Sequence, residues 1–280
     1  MSTVVLTQTA RNKRGLGLGG WASLVVLAIF LVCAVAPDLV APGNPLAVDP
    51  GAGFMPPSAD HWFGTDESGR DTFRRVVHGT GDSLVIGVAA TGIGLAIASL
   101  LGIGAALGPR WLDFTLSRFV EVLFALPGIV LALLLITVVG PGVTTSTIAV
   151  GLATAPGYAR MIRTQTIAIA NSGYVEADRA LGRTRRQILA RRIAPNLVVP
   201  LFVIATLGVG QGVVWAASLS YLGLGVAPPS PEWGAMMNAG RTYLTSSAWW
   251  MTLFPGVAII LTAVSTTVLS RSIAAASRRA

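Results

Sequence analysis

Six times between Trp21 and Leu269 the chain runs through 16 to 26 consecutive residues in which Glu121 is the sole charge. A helix needs about 20 apolar residues to cross a bilayer, so these runs limit the fold more than any other feature. They cover residues 21–36, 84–107, 119–139, 144–159, 197–222 and 250–269. In lipid every backbone N–H and C=O must be satisfied internally, which leaves helices or closed barrels. None of the runs alternates apolar and polar residues as a barrel strand does. The expected class is therefore all-α, a polytopic integral membrane protein with six transmembrane helices. Composition agrees: charged residues make up 11% and the mean hydropathy is +0.69, where a soluble domain carries about 25% charge.

The first run follows Arg11, Lys13 and Arg14 as the apolar core of a signal peptide would, but Pro37 and Asp38 follow it, the junction is not a convincing cleavage site, and further spans come later. A retained first span is expected. The chain then divides into residues 1–20, a span at 21–36, a Pro- and Gly-rich segment at 37–82, a five-helix unit at 83–271 and a tail at 272–280. Glycines crowd the second run (Gly87, Gly92, Gly94, Gly102, Gly104). They are read either as sites of close helix approach or as loose packing without a role.

The net charge of +8 is distributed as a membrane topology, which disfavours a nucleic-acid partner. With the N-terminus inside, 16 of the 20 Lys and Arg fall in inner connectors, among them Arg110, Arg118, Arg160, Arg163, Arg278 and Arg279. Only Arg70, Arg74, Arg75 and Arg241 fall outside. By the positive-inside rule both termini are expected in the cytoplasm.

Catalytic chemistry is sparse. A phosphate loop needs a lysine behind spaced glycines, and Lys13, the only lysine, is followed by Arg14 and lacks them. No cofactor, metal set or nucleophile constellation is expected. Cys33 reads as an inert buried thiol, and His61 and His78 as surface or interface residues. Glu121 lies three residues after Arg118, a spacing that suits an interfacial ion pair, with a gating role as the alternative. The lack of a mid-membrane carboxylate disfavours a carrier with its own coupling ion.

The longest inner connector, residues 171–196, has local structure of its own. Asn171 or Ser172 is placed to cap a short helix, Gly182 to end it, and Thr184 with Gln187 to form a capping box for a second. Such an exposed helix is suited to dock in another protein's groove, or the loop only fixes topology through its arginines.

Tyr174-Val-Glu-Ala-Asp-Arg-Ala-Leu-Gly182, followed by Ile193-Ala-Pro-Asn196, resembles the EAA loop of binding-protein-dependent ABC importers. Asp178 stands where a second alanine is usual, Ala194 where leucine is common, and Arg192 where isoleucine is, with Ile193 one residue later. Asp178 is expected to add charge to the docking helix and tune the partner. His61-Trp-Phe-Gly-Thr-Asp-Glu-Ser-Gly-Arg-Asp71 and the segment from Leu219 to Gly234 resemble elements of dipeptide and oligopeptide permeases, and the leading span is similar to that of the C-type subunit.

This resemblance implies a type I ABC importer permease fold and a non-enzymatic membrane subunit in a bacterial cytoplasmic membrane. It implies, as partners, a homologous second permease, two ATPase subunits that hold the ATP and Mg2+, and an extracytoplasmic peptide-binding protein. The implied ATPase-coupling residues are Tyr174, Glu176, Ala177, Arg179, Ala180, Leu181, Gly182, Ile193 and Pro195. The implied extracytoplasmic motif comprises Phe63, Gly64, Thr65, Asp66, Gly69, Arg70, Asp71, Pro231, Glu232, Trp233 and Gly234. The Pro-rich stretch 227–231 is expected to present a fixed surface to the binding protein. The implied cargo is di- or oligopeptide, with nickel, glutathione or haem as alternatives. A channel or ion-coupled carrier acting alone is the competing class.

Overall fold

The computed structural model describes residues 17–277. Arg11, Lys13, Arg14, Arg278 and Arg279 lie outside the described residues, as does most of the expected N-terminal segment. Among the described residues there are helices and turns and no strand. The helices are α1 (Leu18–Val35), α2 (Thr72–Leu107), α3 (Arg110–Ala125), α4 (Gly128–Val139), α5 (Val143–Ala170), α6 (Gly173–Ala180), α7 (Arg185–Ile188), α8 (Ala194–Tyr221), α9 (Trp233–Gly240) and α10 (Trp250–Ser277).

Four of these are long and apolar enough to cross a membrane: α1, α2, α10 and the continuous rod Arg185–Tyr221, in which a π-turn joins α7 to α8. The bent pair α3 and α4 makes a fifth if it is one span. The run expected as one span at 119–139 is broken near its middle. α3 and α4 meet at 88° because Pro127 has no N–H to continue the helix and holds Leu126 extended at ψ 137°.

The expected short span at 144–159 becomes a 28-residue helix, α5. It carries Thr144, Thr145, Ser146, Thr147, Arg160, Arg163 and Gln165, so its apolar character falls short of the other spans. It tolerates this because it lies inside the bundle, with 12 of its 28 residues buried, against three of 18 in α1. Arg160 and Arg163 are thus two to three turns inside a helix, not in a connector. Arg163 uses its place to clamp α3, its Nε and Nη2 donating to Asp113 Oδ1 and Oδ2 at 2.9 Å each. Arg118 and Glu121 form the expected surface pair at 2.8 Å.

α2 starts twelve residues before the expected span because Asp71 caps it, Oδ1 accepting from Arg74 N–H at 2.8 Å. Several glycines of α2, Gly87, Gly94 and Gly102 among them, mark close approaches. A Cβ on Gly94 would meet the Gly151 carbonyl of α5 at 2.9 Å, and a Cβ on Gly212 of α8 would meet the Gly87 carbonyl at 2.7 Å. Cys33 is buried beside Ala41 and Val77.

Candidate functional site

Two structured regions lie at opposite ends of α2, whose 36 residues extend about 54 Å at ~1.5 Å per residue. At its C-terminal end the chain leaves α5, turns through α6 and α7, and enters α8. Val175 is fully buried and packs with Ala170, Ile188, Ile193 and Leu197, against Ile103 and Leu107 of α2. This small apolar core fixes α6 to the bundle by one side. Arg179 Nη2 donates to the Ala170 carbonyl at 3.0 Å, closing the end of α5.

Asp178 is buried at 4% exposure. It accepts from Arg192 Nε at 2.7 Å and faces Arg183 Nη1 at 3.4 Å. The expectation that Asp178 tunes a partner is therefore corrected: its carboxylate is turned inward and bridges α6 to the π-turn. The hydrogen bond from Arg192 holds its carboxyl below the usual carboxylate range. The Arg192 that replaces the usual isoleucine is the other half of this brace, and sequence alone offered no signal joining the two across 14 positions.

Capping follows expectation at three points and departs at one. Gly182 has φ +76°, the left-handed conformation that suits glycine after a helix. Thr184 and Gln187 form the full capping box, and Pro195 sits in the first turn of α8. Ser172 stands at the N-cap of α6 but does not cap it. Its hydroxyl donates back to the Ile169 carbonyl at 2.6 Å.

The outcome is a helix with one anchored and one open face. Tyr174, Glu176, Ala177, Ala180, Leu181 and Gly182 are exposed, Leu181 at 76%. Ile193 is buried at 3% and packs with Val175, Ile188 and Leu197, supporting the loop from within.

At the other end of α2 the two remaining motifs, more than 150 residues apart, are one structure. Asp66 is buried. Its Oδ1 accepts from Ser68 N–H at 2.8 Å and Arg70 N–H at 2.9 Å, and its Oδ2 pairs with Arg75 and, at 3.5 Å, Arg70. Arg75 Nη2 then reaches across to the carbonyls of Pro229 and Ser230 at 3.2 and 3.3 Å. Arg75 is the joining residue that sequence reasoning left among the connector charges.

Thr65 is fully buried and donates to the Ala52 carbonyl, while its own carbonyl accepts from Trp250 Nε1 at 2.9 Å. Phe63 stacks on Phe254 at 3.9 Å. Gly69, at φ +75°, leaves no room for a Cβ, which would fall 1.8 Å from the Asp49 carbonyl oxygen. Gly64, at φ +70°, is closed in by Met55 and Trp250. Asp71 also accepts or shares a proton with His61 Nδ1 at 2.9 Å.

From the second motif, Glu232 caps α9 by accepting from Gly234 and Ala235 N–H at 2.9 and 2.8 Å. Burial pushes its carboxyl up, and these two bonds oppose the shift. Trp233, fully buried, donates from Nε1 to the Val76 carbonyl at 3.0 Å and from its backbone N–H to Ser83 Oγ at 3.1 Å. Gly234 admits Ala217 at backbone distance, and the Pro231 carbonyl lies where a Cβ on Gly79 of α2 would be. Ala227, Pro228 and Pro229 remain exposed beside this junction.

Among the described residues no group of three or more His, Cys, Asp or Glu could hold a metal ion.

The family of binding-protein-dependent transport system inner membrane components matches residues 85–279. The chain belongs to that family. This permease is 34% identical over 254 residues to the dipeptide transport system permease protein DppC of Alkalihalophilus pseudofirmus, covering 91% of this chain and 82% of that one. It is 37% identical over 243 residues to the probable D,D-dipeptide transport system permease protein DdpC of Escherichia coli K12, covering 86% and 81%. It is 40% identical over 209 residues to the glutathione transport system permease protein GsiD of Escherichia coli O157:H7, covering 75% and 69%. Its fold matches the inward-facing MetNI methionine ABC transporter with a TM-score of 0.59 and 22% identity, over 72% of this chain and 96% of that one. The permease is a multi-pass inner-membrane protein with the fold of an ABC importer permease.

Proposed function

We propose that this permease carries di- and oligopeptides inward by alternating access, driven by ATP hydrolysed in two partner ATPase subunits that hold the nucleotide and Mg2+. A homologous second permease would complete the pathway, and an extracytoplasmic binding protein would deliver cargo. The observation that carries the reading is the braced helix α6. Its inner face is locked by Val175 and Asp178, and its open face, Tyr174 to Gly182, is available to a partner. A helix held so rigidly transmits a push to α5 and α8, and only contacts that differ between two states can shift their balance.

In this reading α6 lies in the cytoplasm and the Asp66–Arg75–Glu232 junction outside. Six crossings result when the bent α3–α4 pair and the interior helix α5 each count as one. Glutathione is the second cargo, favoured by the identity to the glutathione permease.

The test is purification of the tagged chain from native membranes, with identification of co-purifying subunits and of the ligand on the binding protein. ATPases and a peptide-loaded binding protein are expected. A chain that purifies alone and moves substrate alone would contradict the proposal, and glutathione on the binding protein would reassign the cargo.

A further inference from the structure

Two open-sided grooves run along α5 and share Arg160 and Met161. One, of about 590 Å3, sits in the α3–α4 elbow beside Pro127, Tyr158, Gln211 and Trp215. The other, of about 550 Å3, continues past Thr164 and Gln165 toward the ends of α8 and α10. Together they form one trough whose walls are apolar or neutral and polar. Among the described residues Arg160 is the only charged one lining either part.

The charges nearest to it already have partners. Arg163 is held by Asp113 and Glu121 by Arg118, and both line a separate cavity of about 80 Å3 that also borders Arg160. Among the described residues Arg160 has no carboxylate partner. Its guanidinium lies over the Phe124 ring, 4.4 Å from the centroid. A cation over an aromatic face keeps its N–H edges available for a further acceptor, and a guanidinium matches a carboxylate in bidentate geometry.

We propose that Arg160 is a specificity-determining residue that receives the carboxylate of the cargo as it passes along this trough. The proposal rests on the peptide-import reading and adds to it the chemical group recognised and the residue that recognises it. The trough needs a counter-charge for an anionic end group, and among the described residues on its lining Arg160 is the one that supplies it.

The test uses the complete transporter in proteoliposomes, with Cys33→Ala and Arg160→Cys in this chain, and follows uptake of a peptide with a free C-terminal carboxylate. Loss of one charged hydrogen-bonded contact predicts a fall of about tenfold. Modification with aminoethyl methanethiosulfonate, which restores a positive charge, should recover most of the uptake. Modification with sulfonatoethyl methanethiosulfonate should not. Full uptake by unmodified Arg160→Cys, or equal effects of the two reagents, overturns the proposal. Failure of either water-soluble reagent to react also overturns it, because Arg160 would then face lipid and pair with headgroup phosphate. If the Cys33→Ala parent itself takes up no peptide, the cargo reading fails and this proposal with it. Normal uptake by that parent confines any failure to Arg160.

Discussion

Single residues decide whether α6 keeps its aim. Gly182 has open space around it but a φ of +76°, so the obstacle to a side chain there is conformational. Valine is strongly disfavoured in this region, whereas asparagine tolerates it. Gly182→Val is expected to abolish uptake while Gly182→Asn retains most of it, as measured by transport in cells at equal membrane abundance. Asp178 adds a pH dependence with a definite sign. Its carboxyl is held below the usual range by Arg192, so the brace is complete above the ordinary carboxylate pKa of about 3.9 and is lost only as pH falls through the lower folded value. A spin label at position 186 should keep one mobility from pH 8 to pH 5 and loosen only in stronger acid. In Asp178→Asn the label should be mobile at every pH, and a wild-type loosening near neutrality would contradict the assignment.

At the scale of elements, the junction at the start of α2 depends on backbone contact. A Cβ at Gly79 would lie 1.8 Å from the Pro231 carbonyl oxygen, whereas Gly92 on the same helix has nothing within 4 Å. Gly79→Ala should lower the thermal midpoint of the purified protein by several degrees. Gly92→Ala should leave it unchanged or raise it, since alanine favours a helix over glycine by up to ~1 kcal/mol. Equal effects would mean that the two outer motifs are not held by α2. Much of the α6–α7 loop was legible in the sequence. Gly182 as a helix end and the Thr184–Gln187 box follow from local chemistry that does not depend on the rest of the chain, whereas the Asp71 cap that starts α2 early was missed. The bend at Pro127 was also written in the sequence, but an apolar run of 21 residues masks a proline when it is read for length alone. The true extent of α5 was hidden for a different reason. Arg160, Arg163 and Gln165 look like a connector, yet the helix runs on through all three to Ala170. The ion pairs Asp66–Arg75 and Asp178–Arg192 join distant or differently structured segments, so only the folded chain brings them together.

For the molecule as a whole, a 36-residue helix separates the face where α6 is open from the junction where Arg75 gathers both outer motifs. Close glycine contacts tie α2 to α5 and α8, and in the proposed mechanism a push on α6 would move these helices together. In the proposed mechanism α6 is the point of contact with the ATPases. Glu176→Lys tests it with little disturbance to the fold, because Glu176 is exposed and makes no ion pair among the described residues. Near the N-terminus of α6 its reversed charge costs only several tenths of a kcal/mol through the helix dipole. The decisive measurement is ATP hydrolysis by the assembled transporter, with and without loaded binding protein. Glu176→Lys is expected to accumulate and assemble in the membrane at wild-type levels but to lose the stimulation of hydrolysis by loaded binding protein. Wild-type stimulation and uptake in Glu176→Lys would contradict the mechanism and leave the loop as a topology signal alone.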